Sequence, residues 1–252
     1  MRALSWNIDG TDHRRIGARI ERLCVEIFLG GDLRSAMAGA ALPAMPHVLA
    51  FQEVTRHAHS ALRGHLRAAG FQMWPPQPLE DREDYLLLAV RPPYRLGRCE
   101  FRPFTVSALR RGCLVADLDG PRPCRFLTGH LESLRSGREA RLAQAREVDG
   151  WLQEATPAVF GGDTNLRQGE WAVLRTGFRA QDAFHRVGEP RAHAATWWPR
   201  PGLPGYRFDR FWLTEEWRVA SFRTRRALGA SDHAGIEVDL GCRPEPRSSR
   251  GA

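Results

Sequence analysis

Asp163 and Asn165 stand two residues apart at the end of an apolar run, in Pro157-Ala158-Val159-Phe160-Gly161-Gly162-Asp163-Thr164-Asn165-Leu166-Arg167. A carboxylate acceptor beside a neutral amide donor suits the handling of an attacking water. Strand ends are where a sheet presents side chains to a ligand, and paired glycines let the backbone turn sharply there. If extended geometry persists, alternation points both side chains the same way. Gly, Asp, Thr and Asn also close strands as plain Asx turns, so this stretch alone leaves both readings open.

Four further stretches bear on the choice. Asn7 lies near the end of the strand-like Ala3-Leu4-Ser5-Trp6-Asn7-Ile8, Gln52-Glu53 follows His47-Val48-Leu49-Ala50-Phe51, and His130 and Ser133 lie in Gly129-His130-Leu131-Glu132-Ser133. Asp232 and His233 precede the apolar run that begins at Ala234. Each has a local explanation, because a lone histidine is more often structural and Asp or Glu often caps a turn or helix. Buried strands that repeatedly end in carboxylate, amide or imidazole point instead to one shared site on a sheet edge. These residue types suit metal-assisted phosphodiester hydrolysis. Hard oxygen ligands without thiolates favour Mg²⁺, with Mn²⁺ as a substitute, over zinc. Glu53 binds the metal, which neutralises developing charge. Asp163 orients and deprotonates water that Asn165 places in line. His130 and His233 donate to the non-bridging oxygens, and Ser133 adds a third donor.

The elements that must position these groups alternate between helical and strand patterns. Helices are expected over residues 14–29, with Ile16, Ile20, Leu23 and Ile27 inward, and over 56–69, where Ala58, Leu62 and Leu66 face in and His59 and His65 face solvent. A third spans 137–154, and a short one 170–175. Strands are expected at 47–51, 85–90, 97–101, 113–118, 124–128, 157–160, 207–213, 218–224 and 234–240, with irregular loops at 30–46 and around Thr196-Trp197-Trp198. No linker or fixed-period repeat interrupts them. One domain over 1–242 is expected, followed by a disordered basic tail over 243–252.

Composition narrows the class. At 252 residues and 42% hydrophobic content the chain can bury one large core, and no stretch approaches the roughly 20 apolar residues of a membrane span. A strand pattern begins at once, without the pattern of a leader, and the five cysteines form no C-x-x-C pair; an intracellular, cytoplasmic protein without a disulfide framework or structural zinc is the simplest expectation. All 37 basic residues are Arg. The absence of Lys excludes Schiff-base and P-loop lysine chemistry and is explained by a GC-rich genome. The net charge of +8 still asks for a partner, and guanidinium forks favour a phosphate-rich one such as nucleic acid.

Trp6-Asn7, Gln52-Glu53, Gly162-Asp163-x-Asn165 and Ser231-Asp232-His233, in this order, resemble the endonuclease/exonuclease/phosphatase superfamily from about Leu4 to Leu240. The resemblance implies an α/β fold, a DNase I-like four-layer α/β/β/α sandwich with two packed mixed sheets. The longer stretches Trp6-Asn7-Ile8-Asp9-Gly10, Gly129-His130-Leu131-Glu132-Ser133, Gly162-Asp163-Thr164-Asn165-Leu166-Arg167, Thr196-Trp197 and Arg207-Phe208-Asp209-Arg210 are similar to the 5′-tyrosyl-DNA phosphodiesterases, which remove the tyrosyl remnant that type II topoisomerases leave on DNA 5′ ends. That likeness implies that Glu53 is the metal ligand, that Asn7 and Asp232 support the metal through water or hydrogen bonds, and that Asp209 orients His233. It implies Trp197 as an apolar wall for the 5′ nucleotide, Tyr85 as a nearby aromatic, and Arg110 or Arg111, with Arg167, against the DNA strand. The implied partner is a single-stranded or frayed DNA 5′ end bearing a tyrosyl adduct, handled by a monomer without a membrane. Phenol has a pKa of about 10, so its anion leaves without a dedicated general acid. Gln168 stands where the family has Asp after Asn-Leu-Arg, and Leu134 replaces a common Thr. Bland alternatives remain for the substrate contacts: Trp197 and Trp198 both fit a core, Tyr85 an ordinary strand, and Arg110-Arg111 a solvated turn. The competing functions are a general nuclease or abasic endonuclease, a small-molecule phosphodiesterase, and an inactive nucleic-acid-binding relative.

Overall fold

Strands that are apolar on both faces must be covered on both faces, and the chain meets this demand with two sheets and a helical layer outside each. The computed structural model describes residues 1–31, 44–200 and 203–242. The expectations for residues 32–43 and for the 243–252 tail lie outside them.

The elements run β1 (Arg2–Asn7), α1 (Ile16–Leu29), β2 (Val48–Val54), α2 (Arg56–Ala68), β3 (Gln72–Trp74), β4 (Tyr85–Val90), β5 (Arg95–Pro103), β6 (Gly112–Asp119), β7 (Cys124–Gly129), α3 (Arg138–Gln153), β8 (Ala158–Asp163), α4 (Gln168–Leu174), β9 (Gln181–Asp182), α5 (Ala183–Arg186), β10 (Asp209–Leu213), β11 (Trp217–Arg225) and β12 (Gly235–Cys242). One six-stranded sheet has the order β11-β12-β1-β2-β4-β3 and the other β5-β6-β7-β8-β10-β9. Both are mixed: β1 with β2 and β7 with β8 are parallel, their other neighbours antiparallel.

Between the sheets lies a core built from residues such as Leu88, Leu114, Phe126, Val159, Phe211 and Val238. The first sheet buries Leu49, Phe51 and Leu87 against Ile20, Leu23, Ile27, Leu62 and Leu66 of α1 and α2. The second buries Leu127, Phe160 and Trp212 against Leu142, Val148 and Leu152 of α3. This is the expected four-layer sandwich. No helix among the described residues is long and apolar enough to cross a membrane.

Three local expectations are corrected. His59 is fully buried, its Nδ1 2.8 Å from the Tyr85 hydroxyl, because it lies one position beyond Ala58 on the inward edge of α2. Gly161 and Gly162 do not turn the chain; they lie within β8. A Cβ at Gly162 would sit 2.2 Å from the Gly129 carbonyl oxygen, so glycine permits the close approach of β7 and β8. Finally, β8 ends at Asp163, and Asn165 takes a left-handed conformation with φ 50°, so alternation does not orient the pair.

Candidate active site

The ends of β1, β2, β7, β8 and β10 and the entry to β12 meet at one edge of the sandwich. Parallel register sets Asn7 beside Gln52, and a bulge between Phe51 and Val54 then turns Glu53 outward at φ 55° while Gln52 stays buried on Ser5 and Thr128. Asn7 Nδ2 donates both to Glu53 Oε1 at 2.9 Å and to Asp163 Oδ2 at 3.0 Å, so one amide bridges two carboxylates from different sheets. Asn165 reaches the cluster through an Asx turn, its backbone N–H donating to Asp163 Oδ1 at 2.9 Å and its side chain to the Leu131 carbonyl at 3.2 Å.

Two histidines flank Asp163. His130 Nε2 is 3.4 Å from Asp163 Oδ2 and 3.8 Å from Glu53 Oε1, while His233 Nε2 is 3.7 Å from Asp163 Oδ2. Asp209, opposite Asp163 in the antiparallel β8–β10 register, accepts from His233 Nδ1 at 2.8 Å. The environment separates these imidazoles. Burial, with repulsion from Arg111 and His233, holds His130 far below the ordinary histidine value and neutral. Burial also opposes charge on His233, but Asp209 and Asp163 outweigh it and raise that pKa to about 10. Burial and Asp209 push the Asp163 carboxyl up against the pull of His233, Asn7 and the Asn165 amide. Burial likewise raises Glu53, helped by Asp163 and resisted by the Asn7 hydrogen bond. A neutral and a cationic imidazole beside a carboxyl of raised pKa can share donor and base duties.

Sequence reasoning missed the clips that fix this geometry. Buried Arg19, from α1, donates to Asp9 Oδ2 and to the carbonyls of Ile8, Asp9, Asp12 and Ala230, holding the loop after Asn7. Arg141, from α3, is fully buried and bidentate on Glu170, with Nε–Oε2 3.1 Å and Nη2–Oε1 2.7 Å. Its Nη1 donates to the carbonyls of Glu132, Ser133 and Leu134. Glu170 also accepts the Arg167 N–H at 3.0 Å, so one ion pair joins α3, the His130 loop and the start of α4. Arginine on a helix reads as solvated in sequence, and only the tertiary contacts identify these two. Arg141→Met leaves Glu170 buried without its partner and is expected to cost about 3–5 kcal/mol in denaturant unfolding, with Arg141→Met/Glu170→Gln recovering part of the loss.

The remaining predicted residues divide between two walls. Beside His130 a cavity of ≈ 180 Å³ is lined by Trp74, Tyr85, Phe101, Leu109, Arg110 and Arg111, with Asp84, whose carboxyl burial pushes up. Tyr85 contributes to this wall while its hydroxyl is tied to His59. Arg111 also donates to the Leu131 carbonyl. On the His233 side, Trp197, Phe208 and Tyr206 form an aromatic stack, with Trp197–Phe208 centroids 5.3 Å and Tyr206–Phe208 centroids 5.4 Å apart. Trp198 is partly exposed, with the Arg226 guanidinium 3.7 Å over its ring. Ser133, three residues after His130, and Arg167, just before α4, are partly exposed, Arg167 donating to the Leu134 carbonyl at 3.4 Å. Asp232 is half exposed and accepts from the Trp197 indole at 2.7 Å; it does not join the carboxylate–imidazole groups whose ligand atoms lie within 4.8 Å of one another among the described residues.

Those groups are Glu53–His130–Asp163 and Asp163–Asp209–His233. Two carboxylates sharing one amide, each pushed up by burial, fit a hard divalent cation, whose charge would relieve both. They form a possible metal-binding set.

The model of the Endonuclease/Exonuclease/phosphatase family matches residues 4–233. Tyrosyl-DNA phosphodiesterase 2 of Mus musculus is 28% identical over 233 residues, covering 84% of this chain and 56% of its own, so the chain spans little more than half the length of that relative. The structure of D. rerio TDP2 complexed with single strand DNA product superposes with a TM-score of 0.78 at 23% identity, covering 96% of this chain and 98% of that one. Truncated Caenorhabditis elegans TDP2 gives 0.75 at 22% identity over 95% and 96%.

Proposed function

The chain belongs to the endonuclease/exonuclease/phosphatase family, and on that premise we propose that it hydrolyses the 5′-phosphotyrosyl bond of DNA ends and leaves a 5′-phosphate. The observation that carries this proposal is the two-sided cleft. An arginine-edged, largely apolar cavity of ≈ 180 Å³ adjoins His130, and an aromatic stack adjoins His233. A phosphodiester joining an aryl group to a nucleotide needs both walls, whereas an abasic endonuclease needs no aryl pocket.

The phosphate lies between His130 and His233, whose Nε2 atoms both face Asp163 Oδ2. Asn165 places the water, and Asp163, with its raised pKa, takes the proton as the oxygen attacks phosphorus. Cationic His233 and neutral His130 donate to the non-bridging oxygens, with Ser133 as a third donor, and Asp209 keeps His233 charged and oriented. The phosphorus–phenol oxygen bond breaks, and the phenolate departs into the cavity beside Tyr85, Arg110 and Arg111. Held by Glu53, with Asn7 and Asp232 in support, Mg²⁺ (or Mn²⁺) would supply neutralising charge at the phosphate oxygens. Trp197 backs the 5′ nucleotide, and Arg167 meets the strand.

A direct test offers a 5′-phosphotyrosyl oligonucleotide and a duplex containing an abasic site, each with Mg²⁺ and with EDTA. The expected result is metal-dependent release of a 5′-phosphate end from the first substrate alone. Cleavage of the abasic duplex alone would move the chain to the nuclease branch of its family.

A further inference from the structure

Four arginines surround a cavity that the chemistry above leaves unused. It measures ≈ 720 Å³, within the range of small-ligand sites, and is lined by Arg175, Arg191, Arg207, Arg210, His185 and Tyr206. Charge on its lining is unbalanced. Partly buried Arg207 and buried Arg210 share one carboxylate, each donating from Nη1 to Asp182 Oδ2 at 2.8 Å. The side chains of Arg175 and Arg191, at the exposed rim, make no hydrogen bond or ion pair among the described residues. The rim's Glu189 is engaged by His185 Nδ1.

Trp171 Nε1 at 3.0 Å and Arg207 Nη2 at 3.2 Å both approach His185 Nε2. Four guanidiniums face two carboxylates, and the excess calls for an anion.

A planar group is catered for as well. Tyr206 stacks on Phe208 at an interplanar angle of 15° and is 44% exposed, the open end of the aromatic wall that begins at Trp197 beside His233. Leu166, which follows Asn165 in the chain, lines the same cavity. The Trp197–Tyr206 ring contact, with centroids 6.0 Å apart, joins this cavity to the nucleotide side of the catalytic cleft. We propose that it is a second nucleotide subsite, taking a phosphate and a stacked base from single-stranded DNA on the 3′ side of the reacting end. Arginine for the backbone and an aromatic face for any base is the sequence-tolerant mode of single-strand binding. This inference rests on the DNA-end substrate proposed above and extends it.

The test compares the intact chain with Arg175→Ala/Arg191→Ala on 5′-phosphotyrosyl substrates of one and of about ten nucleotides. The wild type should show a lower KM for the longer substrate. The variant should lose about tenfold of that gain, with kcat and turnover of the mononucleotide unchanged. In parallel, fluorescence anisotropy follows a labelled single-stranded decamer without any adduct across a salt series. Loss of that phosphate contact should flatten the slope of log K against log salt by about 0.7. An unchanged length dependence together with an unchanged salt slope overturns the subsite. If the wild type hydrolyses no phosphotyrosyl end, the catalytic proposal fails alone, and the decamer slopes still decide the subsite.

Discussion

Asp163→Asn lowers kcat on a 5′-phosphotyrosyl oligonucleotide by about 10²–10⁴-fold and leaves KM nearly unchanged, the expected cost of removing a positioned general base. The side chain is 1% exposed and pushed up by burial, and among the described residues it is the one carboxylate within 4.0 Å of both imidazole Nε2 atoms. Folding survives, since the Oδ1 that accepts the Asn165 N–H at 2.9 Å persists and a repulsive charge beside Glu53 is gone. The new amide does face Asn7 Nδ2 donor to donor, so Asp163→Ala serves as a second variant free of that conflict. Single-turnover rates for both, with thermal melts to certify folding, check the claim. More than a tenth of wild-type kcat in either would remove Asp163 from the base role.

Asp209→Asn acts through His233. In the wild type the carboxylates hold that imidazole at about 10 against its burial. A base whose folded pKa is raised contributes stability that is fully present below its ordinary value near 6.5 and is lost as pH rises through about 10. The amide removes the nearer counter-charge, so His233 loses its proton at a lower pH and the stabilisation disappears earlier on the alkaline side. Histidine NMR titration of the metal-free protein should show this downward shift directly. Activity follows: at pH 8.5 the variant should lose about 10²-fold in kcat, the cost of one transition-state donor, and regain part of it near pH 6. Superimposable pH profiles for the two proteins would refute the role given to Asp209.

The site was legible in sequence because five buried runs announce their ends. Asn7, Glu53, His130, Asp163 and His233 follow apolar strands or precede one, and the sandwich brings all five to one edge. The likeness to 5′-tyrosyl-DNA phosphodiesterases also implied the Asp209–His233 pair, which stands at 2.8 Å. What sequence could not show is how the groups are aimed. Glu53 depends on a bulge and Asn165 on a left-handed turn, and period-2 reasoning sees neither. Arg19 and Arg141 act across long sequence separations, so helical position alone makes them look solvated. The strands β3 and β9, at three and two residues, and the four-residue α5 are too short to carry a period. Nothing in Glu83-Asp84-Tyr85 reveals that the Asp84 carboxylate lines a cavity beside His130.

The decisive property of the cleft is its polarity. A crystal structure of Asp163→Asn with Mg²⁺ and a 5′-phosphotyrosyl trinucleotide reads it directly. The prediction is phosphorus between His130 Nε2 and His233 Nε2, the tyrosyl ring in the cavity with Tyr85 and Leu109, and the first nucleotide against Trp197. A tyrosyl ring on the Trp197 side, or a phosphate away from the two imidazoles, would contradict it.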